Sequence, residues 1–340
     1  MNYKLFGKSG LRVSELCLGS MAFGADEVWG CDLPESKKIF EYFANAGGNF
    51  IDTANIYAAG KSEKILGELI YSERDNFVLA TKYSFLVKDA NVNSVGNHRK
   101  NLMRSVEQSL LRLNTDVIDI LWLHCPDNLT PIEEIMRGLD DLIRQGKIHY
   151  IGISNATAWE IARANTIAEF KGWSQFVGLQ PEYNLLQRSA ERELFPMAKE
   201  LDIAITPWSP LAGGALTGKY LANRGKRIDK GSVKFNQKNT LITEKLVQLS
   251  QEIGRTPGQV ATRWVMQKDQ VVIPIIGARK LSQIEEGLHC LDFTLQQDII
   301  DQLNDISNIE LGYPHDFLET DMVRKYAFGG LLENVDNHRA

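Results

Sequence analysis

The sequence predicts an α/β fold, a (β/α)8 barrel, on three observations. Eight short apolar runs alternate with longer stretches of helical periodicity. The runs are apolar on both sides, as expected for parallel strands covered by helices on one face and by a core on the other. The first unit reads LCLGSMAFGADE, with Gly19 and Gly24 but without GxGxxG. That turn would mark the main competitor, an open doubly wound nucleotide-binding sheet. One barrel domain spanning residues 1–340 accommodates the whole pattern.

The elements follow in order. Tyr3–Phe6, the turn Gly7-Lys8-Ser9-Gly10 and Leu11–Val13 read as a hairpin that covers one barrel end. Strands are expected at Glu15–Gly19, Asn49–Asp52, Phe77–Lys82, Ile118–His124, Ile148–Ser154, Phe176–Gln180, Ile203–Pro207 and Val271–Ile275. Helical spacing of apolar residues predicts Glu35–Ala46, Glu63–Tyr71 with Ser62 as its N-cap, and Asn101–Leu113. Pro131 opens Ile132–Gln145, and Gly146 stops it. Ala158–Phe170, Glu191–Leu201, Thr243–Ile253 and Pro257–Lys268 complete the set. Two polar segments, Tyr83–His98 and Ala222–Thr240, are long enough to serve as lids or binding loops.

A formal charge of −5 leaves no broad basic surface, so nucleic acid is not an expected partner. Cys17, Cys31, Cys125 and Cys290 are scattered without CxxC or zinc-like spacing and read as reduced thiols. MNYKLFGKSG has no apolar stretch after its first charges, which argues against a secretory leader. The most apolar run, Ile118–Leu123, is far too short for membrane insertion. A cytoplasmic location is expected; homo-oligomerisation stays open.

In a barrel of this kind, reactive groups gather where strands end. The second strand ends in Asp52, with Tyr57 five residues on; the third ends in Lys82 and the fourth in His124. Each has an ordinary reading: a helix-capping aspartate, a packing tyrosine, a solvated lysine, a core histidine. Placed together on adjacent strands, they form a specific set. Asp52 holds Lys82 charged, the ammonium favours phenolate at Tyr57 and lowers its pKa, and His124 donates a hydrogen bond to a carbonyl oxygen. That suits protonating an oxyanion as hydride reaches a carbonyl carbon. No metal is required.

GNFIDTANIYAAGKSEKILG (Gly48–Gly67), LATK ending at Lys82, LWLHCPD around His124, YIGISN ending at Asn155 and GLQPEYN around Gln180 resemble motifs of the aldo-keto reductase superfamily. So do TPWSPLAGGALTGKY (Thr206–Tyr220) and IPIIGARKLSQIEEG (Ile273–Gly287), in the expected order over roughly nine-tenths of the chain. The nearest branch in likeness is that of aryl-alcohol dehydrogenase-like reductases and potassium channel β-subunits. The resemblance implies the (β/α)8 barrel, Tyr57 as general acid, and Asp52, Lys82 and His124 as the rest of a catalytic tetrad.

It also implies a nicotinamide dinucleotide across the rim. Ser154, Asn155 and Gln180 match the residues holding the carboxamide, and Trp208 the ring stacked on the nicotinamide. Ser209, Leu211, Gly213, Leu216 and Lys219 match the loop over the pyrophosphate. Gly277, Arg279 and Gln283 match positions around the adenosine phosphate, and Glu286 an adenine contact; Gly287 stands where the family often has Asn. A guanidinium at Arg279, with Lys280 beside it, favours NADP(H) over NAD(H). The same loop satisfies GxxxxGK, but Tyr220 replaces the Ser or Thr of a P-loop, so phosphotransfer is a weak competitor.

The implied activity is reduction of a small-molecule carbonyl, an aldehyde or a ketone, in a mouth walled by Phe23, Trp29, Phe85 and the tail after Leu311. The alternative is a cofactor-sensing regulatory subunit of the channel β-subunit type, to which YAAGKSEKILG is also similar. Cys125, beside His124, reads as a packing residue.

Overall fold

A computed structural model describes residues 1–25, 29–87, 91–221 and 236–336. Strands β3 (Cys17–Gly19), β4 (Phe50–Asp52), β5 (Val78–Tyr83), β6 (Ile118–Leu123), β7 (Ile148–Ser154), β8 (Phe176–Gln180), β9 (Ala204–Ile205) and β10 (Ile275–Gly277) form one parallel sheet in the order β10-β3-β4-β5-β6-β7-β8-β9. The sheet closes on itself. Ile205 N donates to Val271 O at 2.9 Å, and Ile273 N donates to Ile205 O at 2.8 Å. This is the eight-stranded barrel that the alternation of runs predicts.

The last two strands are shorter or displaced from their expected bounds because proline lacks the N–H a ladder needs. Pro207 lies just past the end of β9, after Thr206. Pro274 divides residues 271–277: the segment before it pairs with β9, and Ile275–Gly277 pairs with β3.

Helices α1 (Leu33–Asn45), α2 (Lys61–Ile70), α3 (Arg99–Leu113), α4 (Ile132–Arg144), α5 (Ala158–Lys171), α6 (Leu194–Glu200), α7 (Gln237–Glu252) and α8 (Pro257–Met266) occupy the expected segments, with shifted ends. Helices α9 (Leu281–Leu288), α10 (Gln297–Ile306), α11 (His315–Leu318) and α12 (Asp321–Phe328) have no counterpart among the expected segments. Ser62 does not cap α2. The helix starts at Lys61 behind Gly60 in a left-handed conformation, φ 87°, and Ser62 lies buried in its first turn. Of the two expected loops, residues 88–90 and 222–235 lie outside the described residues. Among the described residues no helix is long and apolar enough to cross a membrane.

The hairpin β1 (Tyr3–Leu5) and β2 (Arg12–Ser14) closes the N-terminal end of the barrel. Phe6 plugs it, fully buried, its ring edge-on to Phe50 and Trp122 with centroids at 5.7 and 6.1 Å. The turn depends on Gly7, whose φ is +56°. A Cβ there would lie 2.5 Å from the Val177 carbonyl oxygen.

Inside the barrel the Trp122 ring crosses two paired glycines, Gly152 and Gly178. An alanine Cβ at 152 would stand 2.3 Å from Trp122. Gly152→Ala is therefore expected to destabilise the protein by about 1–3 kcal/mol, the usual range for an overpacked core, read as a lower denaturation midpoint. A neutral or stabilising effect would show that the tryptophan has room to move.

Candidate active site

Strand parity sets the site. Alternate residues face the barrel axis: Phe50 and Asp52 on β4, Val78, Ala80 and Lys82 on β5, Ile120 and Trp122 on β6, with His124 next in phase. The apolar members fill the floor, and the last inward positions of β4 and β5, with His124 just past β6, deliver polar groups to the C-terminal rim. Tyr57 comes from the 3-10 turn Tyr57–Gly60 that follows β4.

The structure brings the four residues together. The Lys82 ammonium is fully buried and donates to Asp52 Oδ2, to the Thr53 carbonyl at 2.8 Å and to the Tyr57 hydroxyl at 3.2 Å. Asp52 Oδ1 accepts from Gln180 Nε2 at 3.0 Å. The His124 ring stands edge-on to Tyr57, centroids 6.2 Å apart, and packs against Phe85 at 4.5 Å. Its Nδ1 is buried without a hydrogen-bond partner among the described residues.

The electrostatics follow from burial. At Lys82 burial opposes the charge, but Asp52 and Tyr57 outweigh it, so this lysine titrates above the ordinary range. Burial, with the Lys82 charge behind it, pushes the His124 imidazole down to about 3. His124 is thus neutral, with one N–H to give. Burial raises the Tyr57 phenol, and the pull of Lys82 does not reverse that. This corrects the expectation of a lowered Tyr57 pKa: the phenol rests protonated. The ammonium at 3.2 Å takes effect when the phenol loses its proton, because it then faces a nascent anion. The Cys125 thiol is raised by burial and by Asp127, in keeping with a packing residue.

The remaining rim residues fall on the neighbouring strand ends. Ser154 Oγ donates to the Gln180 carbonyl at 2.8 Å. Asn155, at φ +56°, donates from Nδ2 to the His124 carbonyl at 2.9 Å and accepts from Trp208 Nε1 at 3.2 Å. Trp208 is half-buried against the barrel interior. Ser209, Ala212, Gly213, Gly214 and Gly218 all have positive φ, and Gly213 N donates to Ser209 Oγ. The turn holds the Lys219 ammonium so closely that a Cβ on Gly214 would lie 2.9 Å from its Nζ. Gly218 and Lys219 lie in a turn, not at the start of a helix, so the P-loop reading fails. Leu211 is half-buried and Leu216 is buried.

At β10, Gly277 is exposed, and Arg279 N donates to Gln283 Oε1 at 2.9 Å. Glu286 is exposed on α9. These positions run along the ends of β7, β8, β9 and β10, beside the four residues on β4 to β6. A glycine-lined turn under a lysine and an arginine beside a helix start fit an extended dinucleotide with its phosphates on that side.

Of the expected mouth residues, Trp29 and Phe85 are 48% and 39% exposed. Phe23 is corrected: it is fully buried in the core between barrel and helices and offers no face to a substrate. The tail after Leu311 keeps Tyr313 and Tyr326 exposed and is fastened at His315, whose Nε2 lies 2.8 Å from Glu193 Oε1.

The sequence reading missed a polar layer behind the strands. Ser20, Thr53, Ser62, Glu63 and Thr81 are all fully buried there. One signal was available: Glu63 stands in helical phase with Leu66, Gly67 and Ile70, the buried stripe of α2. Glu35 was also missed; its carboxylate accepts from Leu281 N at 2.7 Å at the start of α9.

The Aldo/keto reductase family sequence model matches residues 15–308. Norsolorinic acid reductase of Aspergillus flavus is 34% identical over 325 residues, 92% of this chain and 83% of the relative. An uncharacterized oxidoreductase of Bacillus subtilis is 37% identical over 317 residues, 90% of this chain and 96% of its own length. The aryl-alcohol dehydrogenase [NADP(+)] of Phanerodontia chrysosporium is 35% identical over 331 residues, 90% of this chain and 86% of the relative.

Proposed function

The chain belongs to the aldo/keto reductase family of oxidoreductases acting on carbonyl and alcohol groups, and from that premise we propose that it reduces aldehydes, and ketones of similar shape, with NADPH. The observation that carries the reading is the Lys82 ammonium in simultaneous contact with the Asp52 carboxylate and the Tyr57 hydroxyl.

When bound, the nicotinamide supplies the hydride. This chain's residues then orient and protonate. His124, held neutral by burial, gives an imidazole N–H to the carbonyl oxygen. Tyr57 passes its proton to that oxygen as negative charge develops, and Lys82 stabilises the phenolate left behind. Asp52, fixed on its far side by Gln180, keeps Lys82 in place. Trp208, Ser154, Asn155 and Gln180 would hold the nicotinamide end, Ser209 through Lys219 the pyrophosphate, and Gly277, Arg279, Gln283 and Glu286 the adenosine end.

Arg279 supports NADPH over NADH, because a guanidinium suits the 2′-phosphate. The aryl-alcohol relative supports aromatic aldehydes, and Phe85 beside His124 supplies an apolar wall. The test is loss of nicotinamide absorbance with an aromatic aldehyde, under NADPH and under NADH. Arg279→Ala should weaken NADPH binding about tenfold or more, the scale of a hydrogen bond to a charged group, and leave NADH nearly unaffected. No turnover of any carbonyl with either nucleotide would overturn the reading; equal loss for both nucleotides would overturn the role of Arg279.

A further inference from the structure

Behind the rim, one dipeptide ties together three of the groups described above. Ser62 and Glu63, in the first turn of α2, are both fully buried. Ser62 Oγ lies 2.9 Å from Thr53 Oγ1 and 2.8 Å from Ser20 Oγ, and Ser20 Oγ donates to the Asp52 carbonyl at 3.0 Å. The neighbouring Thr53 carbonyl accepts from Lys82 Nζ. Glu63 Oε1 accepts from Thr81 Oγ1 at 2.6 Å, and Thr81 precedes Lys82 on β5. Glu63 Oε2 accepts from Arg112 Nε, also at 2.6 Å.

Arg112 reaches in turn to the segment that carries Tyr57. A Cβ on Gly60 would lie 2.8 Å from Arg112 Cδ, so the arginine stem lies against the end of that segment. The segment needs support. Ala58, Ala59 and Gly60 have φ values of 47°, 54° and 87°, and two of them are alanines in the left-handed region. The hydroxyl of Tyr57 meets Lys82 only if this turn and β5 keep their relative position. Thr81, Glu63 and Arg112 are joined by hydrogen bonds, and the last link, from Arg112 to the Tyr57 turn, is a close packing contact at Gly60.

We propose that Glu63 is a positioning residue for the Tyr57–Lys82 pair, acting through Thr81 on β5 and through Arg112 on the Tyr57 turn. The inference rests on the reading of Tyr57 as proton donor. Its physical content is directional. A buried carboxylate is a costly way to fill space. Two hydrogen bonds of fixed direction from it hold β5 and the Arg112 side chain in register, and the fixed arginine stem then backs the Tyr57 turn at Gly60.

Thr81→Val removes the donor and nearly keeps the shape; Thr81→Ser keeps the donor. With an aromatic aldehyde and NADPH, Thr81→Val should lower kcat about ten- to a hundredfold, the scale of a small misplacement of reacting groups. KM and the NADPH dissociation constant should stay unchanged, and Thr81→Ser should retain most of the rate. In a Tyr57→Phe background, Thr81→Val should cost nothing further, because the group it positions is gone. If Thr81→Val fails to fold by circular dichroism, Arg112→Lys takes its place with the same expectations, since it keeps the charge but loses the Nε geometry.

A lowered melting temperature with kcat intact would overturn the proposal and leave the network structural. An equal further loss in the Tyr57→Phe background would overturn it too. If Tyr57→Phe alone kept full activity, the reading of Tyr57 would fall instead, and the two failures are thereby told apart.

Discussion

Replacing Tyr57 with phenylalanine is expected to lower kcat for aldehyde reduction by about 10²–10⁴-fold, the usual contribution of a positioned general acid. The dissociation constant for NADPH should not change. The substitution removes one oxygen, and in the structure that oxygen's hydrogen-bond partner is Lys82 Nζ at 3.2 Å. The phenol is raised by burial and so carries its proton throughout the neutral range. The rate should therefore not fall between pH 8 and 6 through Tyr57, nor through His124, which is already neutral. Steady-state kinetics with a fluorescence titration of the nucleotide checks each part. Full activity in the variant would remove Tyr57 from the mechanism.

Lys82→Met is expected to have the largest combined effect. It leaves the Asp52 carboxyl, 2% exposed, without its charged partner. Breaking a buried pair in this way costs about 3–5 kcal/mol of stability. Adding Asp52→Asn should restore much of that stability without restoring turnover, because the ammonium that meets the phenolate is still missing. The sign with pH follows from the raised Lys82 pKa. Its stabilising contribution is complete below the unfolded lysine pKa and is lost as pH rises through the higher folded value. The native protein should thus lose stability in strong alkali, and Lys82→Met should lack that limb. Denaturant titrations across pH measure it; identical alkaline limbs in the two proteins would refute the assignment.

Much of this was legible in the sequence, for a definable reason. Strand identity and inward parity are local properties, so Asp52, Lys82 and His124 could be placed on one rim from the ends of three apolar runs. Closure of the barrel was also legible, through the count of strands and the missing GxGxxG. What escaped depends on partners distant in the chain. Glu63 looks like an ordinary first-turn glutamate until Arg112 and Thr81, 49 and 18 residues away, are brought against it. Phe23 reads as a rim aromatic because it follows a strand end, yet the chain folds it back into the core. The direction of the Tyr57 shift was misjudged because a sequence names the charged neighbour but not the depth of burial that outweighs it. The ends of β9 and β10 were misplaced because prolines that break a ladder can still lie in extended chain.

The Phe6 plug has a kinetic corollary. With one end of the barrel stoppered by a phenylalanine and a tryptophan, the rim that carries Tyr57 is the open end among the described residues. On the proposed mechanism, whatever reloads Tyr57 with a proton comes in at the same rim by which the alcohol leaves. Recharging the acid is then queued behind departure of the product, and a cycle in heavy water should show its slow exchange after the reduction step, not before it.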